Sequence, residues 1–399
     1  MRRPAGVLCL LAAVLTAPRL DAAPEVWLVT YGPGDAVWER FGHNALWLRD
    51  PDQGLDHLFN FGYFDWSEPA FLWRFIQGHM TYYSAAMNPA REFDWYRQVG
   101  RSVALQPLVL RADEFQRLAA ALRRGVQPEH RRYVYDYFTA NCSTRVRDAL
   151  DRALGGGLAA ALPPTARAAT YRSTALAMVD DDVWLALGMH LALGRPAEKR
   201  LDDWRLGYLP QELARAVGAT EIAGRPLAGP MRLLSGGQPW PPPWSPHYGR
   251  FAALGVAGAA LFAAVWVGAR RRRPNLALLP LRLWFLIAGL GGLLLAWLWG
   301  WSAHWAAHAN ENLLLLTPLA LVPAISPRGR WAVAAARLIV AGAVVAVGLK
   351  FTPGNQVNHD LLLWLVPWQF TGAALLIADR RQQILGKPIK KGLNHPIGD

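Results

Sequence analysis

Cysteine is nearly absent from this chain: its 399 residues hold two, Cys9 and Cys142. Cys9 falls in the apolar stretch 5–18, which follows Arg2-Arg3 and precedes Ala22-Ala23. That is the layout of a secretory signal or N-terminal anchor over residues 1–23. Leu8 precedes Cys9 without the small residues of a lipobox, which argues against a lipoprotein signal. With the signal removed, one thiol remains and no internal disulfide can form. A lone thiol in an exported chain is either a small buried hydrophobe or a reactive group. Also missing are an HExxH metal motif and a basic-aromatic nucleic-acid module. The formal net charge is +13, but much of the excess sits in Arg clusters beside uncharged runs. It therefore reads as topology signal and attraction to anionic lipid. No cofactor, no metal and no nucleic-acid partner is expected.

Apolar residues, by contrast, are plentiful: 53% of the chain, with 19 Trp, crowding its last third. Runs at 251–269, 283–303, 312–327, 331–349 and 361–378 each approach the roughly 20 residues that span a bilayer. Five spans place the basic loops 270–273 and 328–330 and the tail 379–399 on one side, the cytoplasm by the positive-inside rule. Everything before the first span then lies outside, in agreement with an exporting N-terminus. Gly236-Gly-Gln-Pro-Trp-Pro-Pro-Pro-Trp-Ser-Pro246 reads as a stiff linker over 236–250.

Upstream, residues 24–157 alternate between β-prone and helical pieces. Strands are expected at 26–31, from His43 onward, at 57–64, 81–86 and 103–110. Ser67 and Pro69 read as the start of a helix ending near Gly78, and 112–124 as an amphipathic helix. The expected fold is an α+β domain with an antiparallel sheet, then a helical accessory region at 158–235.

Within that domain, Tyr133-Val-Tyr-Asp-Tyr-Phe-Thr-Ala-Asn-Cys142 is a β-prone run and a polar turn, with Cys142 in the first turn of a helix. Unpaired N–H groups and the positive end of the helix dipole favour its thiolate. A cysteine nucleophile needs a base, and the base needs an orienting partner. His43 is the leading base. Asn60, 17 residues on and on the paired strand, is the leading orienter, with Asp65 the second candidate.

The order His, polar residue, Cys resembles circularly permuted papain-like folds such as lecithin:retinol acyltransferase. Phe41-Gly-His43, Asn60-Phe-Gly-Tyr-Phe-Asp65, Phe75-Ile-Gln-Gly78, Tyr135-Asp136, Asn141-Cys-Ser-Thr-Arg145 and Asp148 together resemble the Lnb family. So do Thr170-Tyr-Arg172, Leu209-Pro210, and His304 with Asn310-Glu-Asn312. That bacterial family has a periplasmic N-terminal domain, often followed by membrane spans, and its members are regarded as lipoprotein N-acyltransferases. The resemblance implies Cys142 as the acyl-accepting nucleophile, His43 as its base and Asn60 as the orienter. Asn141 and Arg145 flank the thiol; with Tyr135, Asp136, His304, Asn310 and Asn312 they are candidates for binding substrate or an oxyanion. Arg145 has a plainer reading as an ion-pair partner of Asp148 or Asp136. A membrane lipid would donate the acyl group and a lipoprotein N-terminus would accept it, at the bacterial inner membrane.

Two other classes stay open. One is a periplasmic cysteine peptidase or amidase acting on cell-wall peptide, and the other is a non-catalytic membrane scaffold. In the loop 302–312, His304 and His308 with Glu311 have metal-like spacing without the HExxH pattern. A polar lid or headgroup site and a solvated interfacial loop are its main readings.

Overall fold

The computed structural model describes residues 23–273 and 276–385. Cys9, nearly all of the 1–23 segment and most of the 379–399 tail lie outside the described residues. The chain divides into two compact units. The first comprises the residues up to Glu68, Met80–Ala166 and Asp202–Trp240; the second comprises Pro69–His79, Arg167–Leu201 and the residues from Pro241 on.

The first unit is built on one antiparallel sheet. Its strands are β1 (Glu25–Tyr31), β2 (His43–Asp50), β3 (Leu55–Tyr63), β4 (Thr81–Met87), β5 (Val103–Pro107) and β6 (Arg132–Val134). Two short strands, β7 (Glu221–Ile222) and β8 (Arg225–Pro226), form a separate hairpin, and β9 (Arg232–Ser235) returns to the main sheet. The main order is β6-β4-β3-β2-β1-β5-β9. Alternation along the strands sorts side chains onto two faces. Leu28, Leu46, Leu48, Phe59 and Phe61 bury against Phe115, Leu118 and Leu122 of the helix Ala112–Gly125 and Val146 and Leu150 of the helix Cys142–Ala153. Val29, Tyr31, Ala45, Leu58 and Val103 bury on the other face against Phe93 and Tyr96 of the helix Pro89–Gln98. Each fully buried Leu stabilises by about 1.5–3 kcal/mol, and both layers are needed to hold the sheet.

Sequence and structure differ at several points. The helix expected from Ser67 begins at Phe71, after Ala70 in the left-handed region at φ 56°. Ser67 is instead bonded through its N–H and hydroxyl to Asp65. The 103–110 strand ends at Pro107, and the helix Pro89–Gln98 has no counterpart among the expected elements. The stretch expected as one accessory region divides between the two units, because the helix Pro210–Ala219 packs Leu213 and Val217 into the sheet's core and β9 pairs with β5.

The second unit is helical. Among the described residues, four helices are long and apolar enough to cross a membrane: Tyr248–Arg272, Leu278–Gly300, Ala332–Leu349 and a helix beginning at His359. The run at 312–327, expected as a fifth continuous span, is broken. Residues 311–325 form short 3-10 helices at Glu311–Leu314 and Pro318–Ala320 and a short α-helix at Leu321–Ile325. Pro318 and Pro323 lack the N–H that a continuous helix needs. Gly289 and Gly292 let this irregular backbone come close: a Cβ on Gly292 would meet the Thr317 carbonyl carbon at 2.4 Å. The Gln369 side chain donates to the Leu315 carbonyl that the break frees, as irregular backbone in an apolar setting requires.

The broken stretch is anchored at both ends by polar contacts. At one end Lys350 pairs with Glu311 at 2.5 Å. At the other, Arg282 donates to the Ile325 carbonyl, Arg270 and Arg328 flank Asp379, and Arg380 donates to the Arg328 carbonyl. The basic ends therefore gather together, and among the described residues four helices, not five, are long and apolar enough to cross a membrane.

Candidate active site

Cys142 is the first residue of its helix. Asn141 caps that helix: its Oδ1 accepts from the Thr144 N–H at 2.9 Å, and the Thr144 hydroxyl accepts from the Asn141 N–H at 2.8 Å. The following Ser143 is fully buried and donates to Asn44 of β2 at 2.8 Å. Asn44 in turn donates to the Thr30 hydroxyl at 2.9 Å. These bonds pin the helix start to the sheet and set the thiol at a fixed height.

His43 opens β2. Its neighbours Ala45 and Trp47 share its side of the sheet, the side of the helix Pro89–Gln98. Cys142 is carried by a helix on the opposite face. The two can meet because His43 is the first residue of its strand and the sheet ends there. On β3 the register shifts between Phe61 and Tyr63, with Gly62 at φ 99°. A bulge with glycine in this conformation opens space that a side chain would strain. A Cβ built on Gly62 would lie 3.9 Å from the Cys142 Cβ.

A chain of hydrogen bonds fixes the imidazole. Asn60 faces Ala45 across β2 and β3, so it is the diagonal neighbour of His43. Its Oδ1 lies 2.8 Å from His43 Nε2. Its Nδ2 donates to Glu92 at 2.9 Å, and Glu92 also accepts from the Tyr31 hydroxyl at 2.7 Å. A carboxylate only accepts, so Glu92 sets the orientation of the Asn60 amide. That amide then accepts from Nε2–H, and Nδ1 is left to face the sulfur. Asn60, Tyr31 and Glu92 are all buried, whereas Cys142 and His43 are partly exposed at the open end of the chain.

The electrostatics follow from this order. Burial pushes the Cys142 thiol up, but the charge and hydrogen bond of His43, the Asn44 N–H and Ser143 outweigh it and bring the thiol down to about 7. Burial pulls His43 down, but Cys142 beside it and the bond to Asn60 raise it above its usual range. The pair therefore favours thiolate beside imidazolium, the arrangement of an activated cysteine nucleophile. Burial raises the Glu92 carboxyl, and its bonds to Tyr31 and Asn60 and the charge of His43 oppose that rise.

Of the sequence-predicted residues, the structure brings together Cys142, His43, Asn60 and Tyr135. The Tyr135 ring stacks on Tyr82 at 4.3 Å, and Cys142 lies close enough to perturb its phenol. Other assignments change. The Asn141 amide donates to the Tyr137 and Tyr208 carbonyls, so its side chain is committed to the backbone and has no donor left for an oxyanion. Asp136 accepts from the Phe138 and Thr139 N–H groups and closes the turn before Cys142. Arg145 lies over the Tyr133 ring, 4.5 Å from its centroid, while Arg147 takes Asp148 at 2.7 Å. Asp65, the second orienter candidate, holds Ser67.

His304, Asn310 and Asn312 belong to the second unit and bond backbone there. His304 faces the Phe75 and Ile76 carbonyls at 3.1 Å, and His308 the Ser302 carbonyl at 3.0 Å. Asn310 and Asn312 donate to the carbonyls that end the helix Val183–Ala192. These contacts tie the loop to the ends of two helices.

Sequence reasoning missed Glu92 and Tyr31. Asn88-Pro-Ala-Arg-Glu92 has the composition of a helix start, but the capping-box position three residues after Asn88 is Arg91, so Glu92 reads as an ordinary acidic residue of the first turn. Asn88 does cap the helix by accepting from Arg91 N–H at 3.1 Å, yet Glu92 turns inward to the sheet. Only the placement of that helix under β3 reveals its role.

The Lnb N-terminal periplasmic domain matches residues 19–175, and the Lnb transmembrane domain matches residues 256–336. No curated protein and no solved structure shows significant similarity to the chain.

Proposed function

The chain belongs to the Lnb family, a membrane protein with a periplasmic domain, and we propose on that basis that it is a thiol acyltransferase N-acylating bacterial lipoproteins. The observation that carries the proposal is the chain Glu92–Asn60–His43 ending on the lowered thiol of Cys142.

The Cys142 thiolate attacks an ester carbonyl of a membrane lipid. A C–S bond forms, the ester C–O bond breaks, and the departing alkoxide takes a proton from the His43 imidazolium. The α-amine of a lipoprotein's N-terminal cysteine then attacks the thioester. A C–N bond forms, the C–S bond breaks, and Nδ1 of His43 takes the amine proton, which restores the ion pair. The amide is the stable product, so transfer runs forward. Asn60 keeps Nε2 protonated throughout, and the N–H groups at the start of the Cys142 helix are donors for the oxyanion.

Two features support a lipid as acyl donor. Candidate spans in the same chain would tether the site to a membrane, which raises the effective concentration of lipidic substrates. An aromatic track also leads away from the site. Tyr135 stacks on Tyr82, Tyr82 meets Phe64 at 5.0 Å, and Phe64 meets Trp66 at 5.2 Å and Trp38 at 6.2 Å. Trp38 is 60% exposed and Trp66 57%, a surface suited to hydrocarbon. The gathered Arg ends would face the cytoplasm of the inner membrane, with the Cys142 unit on the periplasmic side. His43, Asn60 and Cys142 lie on strand, strand and helix, the order on which this reading rests.

The test is genetic and chemical. A host lacking its own apolipoprotein N-acyltransferase receives either the wild-type chain or Cys142→Ala, and lipoprotein N-termini are read by mass spectrometry. N-acylation with the wild type alone is the expected result. Unacylated lipoproteins with altered wall peptides would favour the amidase reading instead.

A further inference from the structure

The Tyr133 hydroxyl is buried and makes no hydrogen bond. A buried polar group without a partner is destabilising, and native structures rarely keep one without a use for it. This one also sits beside the nucleophile. The Cβ position at Gly62 lies 3.9 Å from Tyr133 Oη and 3.9 Å from the Cys142 Cβ, so the bulge, the phenol and the cysteine border one space. Cys142 perturbs the Tyr133 phenol directly.

The ring is held from two sides. β6 pairs Tyr133 with Tyr82 of β4, and the Arg145 guanidinium stacks on the ring from one turn along the Cys142 helix. Burial, the largest influence, pushes the phenol well above its usual range, so it stays protonated and can only donate to an anion. A buried donor aimed at space beside a nucleophile suits charge that develops during reaction and is absent before it.

The geometry points to Tyr133 Oη–H as a donor to the oxyanion that forms when Cys142 attacks an acyl carbonyl, with Arg145 positioning the ring. This rests on the acyl-transfer reading above. As the C–S bond forms, the carbonyl π electrons move to oxygen, and that oxygen accepts from Tyr133. The bond weakens when the carbonyl re-forms and the alkoxide leaves. No proton leaves Tyr133 in either step.

The test uses the full-length protein in detergent with p-nitrophenyl octanoate, whose leaving group needs no acid. The burst of p-nitrophenol reports acylation of Cys142. Alkylation by iodoacetamide passes through no oxyanion and reports the thiolate alone. Tyr133→Phe is expected to slow the burst about 10²–10³-fold, the usual cost of one oxyanion donor, with alkylation unchanged. An unchanged burst overturns the inference. So does equal slowing of both reactions, which would make the hydroxyl a support for the thiolate. If Tyr133→Phe does not hold the fold, site-specific 3-fluorotyrosine keeps the ring and acidifies the hydroxyl. It must then change the burst rate and leave alkylation as it was; an unchanged burst rate overturns the assignment. A wild-type protein with normal alkylation and no burst would instead sink the acyl-transfer reading itself, and this inference with it.

Discussion

Two histidines in this chain, His43 and the buried His190, each lie in a network containing carboxylates, and they behave oppositely. In the first unit, His43 reaches Glu92 through the Asn60 amide, and its other nitrogen faces a partly exposed thiol. In the second, His190 Nε2 meets Asp360 directly at 2.8 Å, while Nδ1 faces the Arg172 guanidinium at 2.9 Å. Arg172 also holds Glu198 at 2.5 Å and the Leu193 carbonyl at 2.6 Å. His43 is raised above its usual range. His190 is lowered, chiefly by burial and further by the charge of Arg172, against the pull of Asp360.

A carboxylate next to an imidazole is therefore not enough to make a base. In the second network both ring nitrogens are occupied and no nucleophile is present, so it serves as a staple. In the first, one nitrogen is oriented by a neutral amide and the other is offered to a sulfur at the open end. The fully exchanged pair, thiolate with imidazolium, is what the mutual charge and the hydrogen bonds select there, against burial.

The comparison can be broken in three places. The largest effect is expected from His43→Ala. Acylation of Cys142 should fall about 10³–10⁴-fold, the upper range for a general base. Thermal unfolding should change little, and a burst rate near wild type would deny His43 its role. Next comes Arg172→Met, which leaves the half-buried Glu198 without its ion pair and the buried His190–Asp360 pair without the neighbouring cation. A loss of about 3–5 kcal/mol is expected, read as a lower melting temperature in detergent. The alkylation rate of Cys142 in the protein that stays folded should not move. The smallest effect is expected from Asn60→Ala. Iodoacetamide alkylation of wild-type Cys142 should rise with pH around a midpoint of about 7. Asn60 helps raise His43, so its loss lets the imidazole give up its proton at lower pH. The thiolate then loses its counter-charge, and the midpoint should shift upward toward the ordinary thiol range near ~8.5. A midpoint that stays at 7 would remove Asn60 from the chain of control.

Much of the first network was legible from residue order. A strand after Phe-Gly, its hairpin partner and a helix opened by Asn-Cys are local patterns, and they put His43, Asn60 and Cys142 in the right elements. Glu92 and Tyr31 were not legible, because their contacts span 32 and 61 residues and depend on which face of the sheet a helix covers. Tyr133 lay inside the most prominent motif, yet nothing local distinguishes its hydroxyl from that of Tyr135 or Tyr137. The second network was still less visible. His190 and Asp360 are 170 residues apart, and a polar residue at the head of an apolar run reads as a boundary. Hydropathy also counted 312–327 as a span, since it weighs apolar content and ignores the prolines that interrupt the backbone.

The most direct measurement of the central claim is the mass of the Cys142 peptide. The purified protein is mixed with diacyl phospholipid, and it is digested either at once or after a chase with a diacylglyceryl peptide bearing a free N-terminal cysteine amine. The account predicts a fatty-acyl adduct on Cys142 that hydroxylamine removes and that the chase peptide consumes as it gains an amide-linked acyl chain. N-acylated peptide appearing with Cys142 unmodified, or equally with Cys142→Ala, would contradict it.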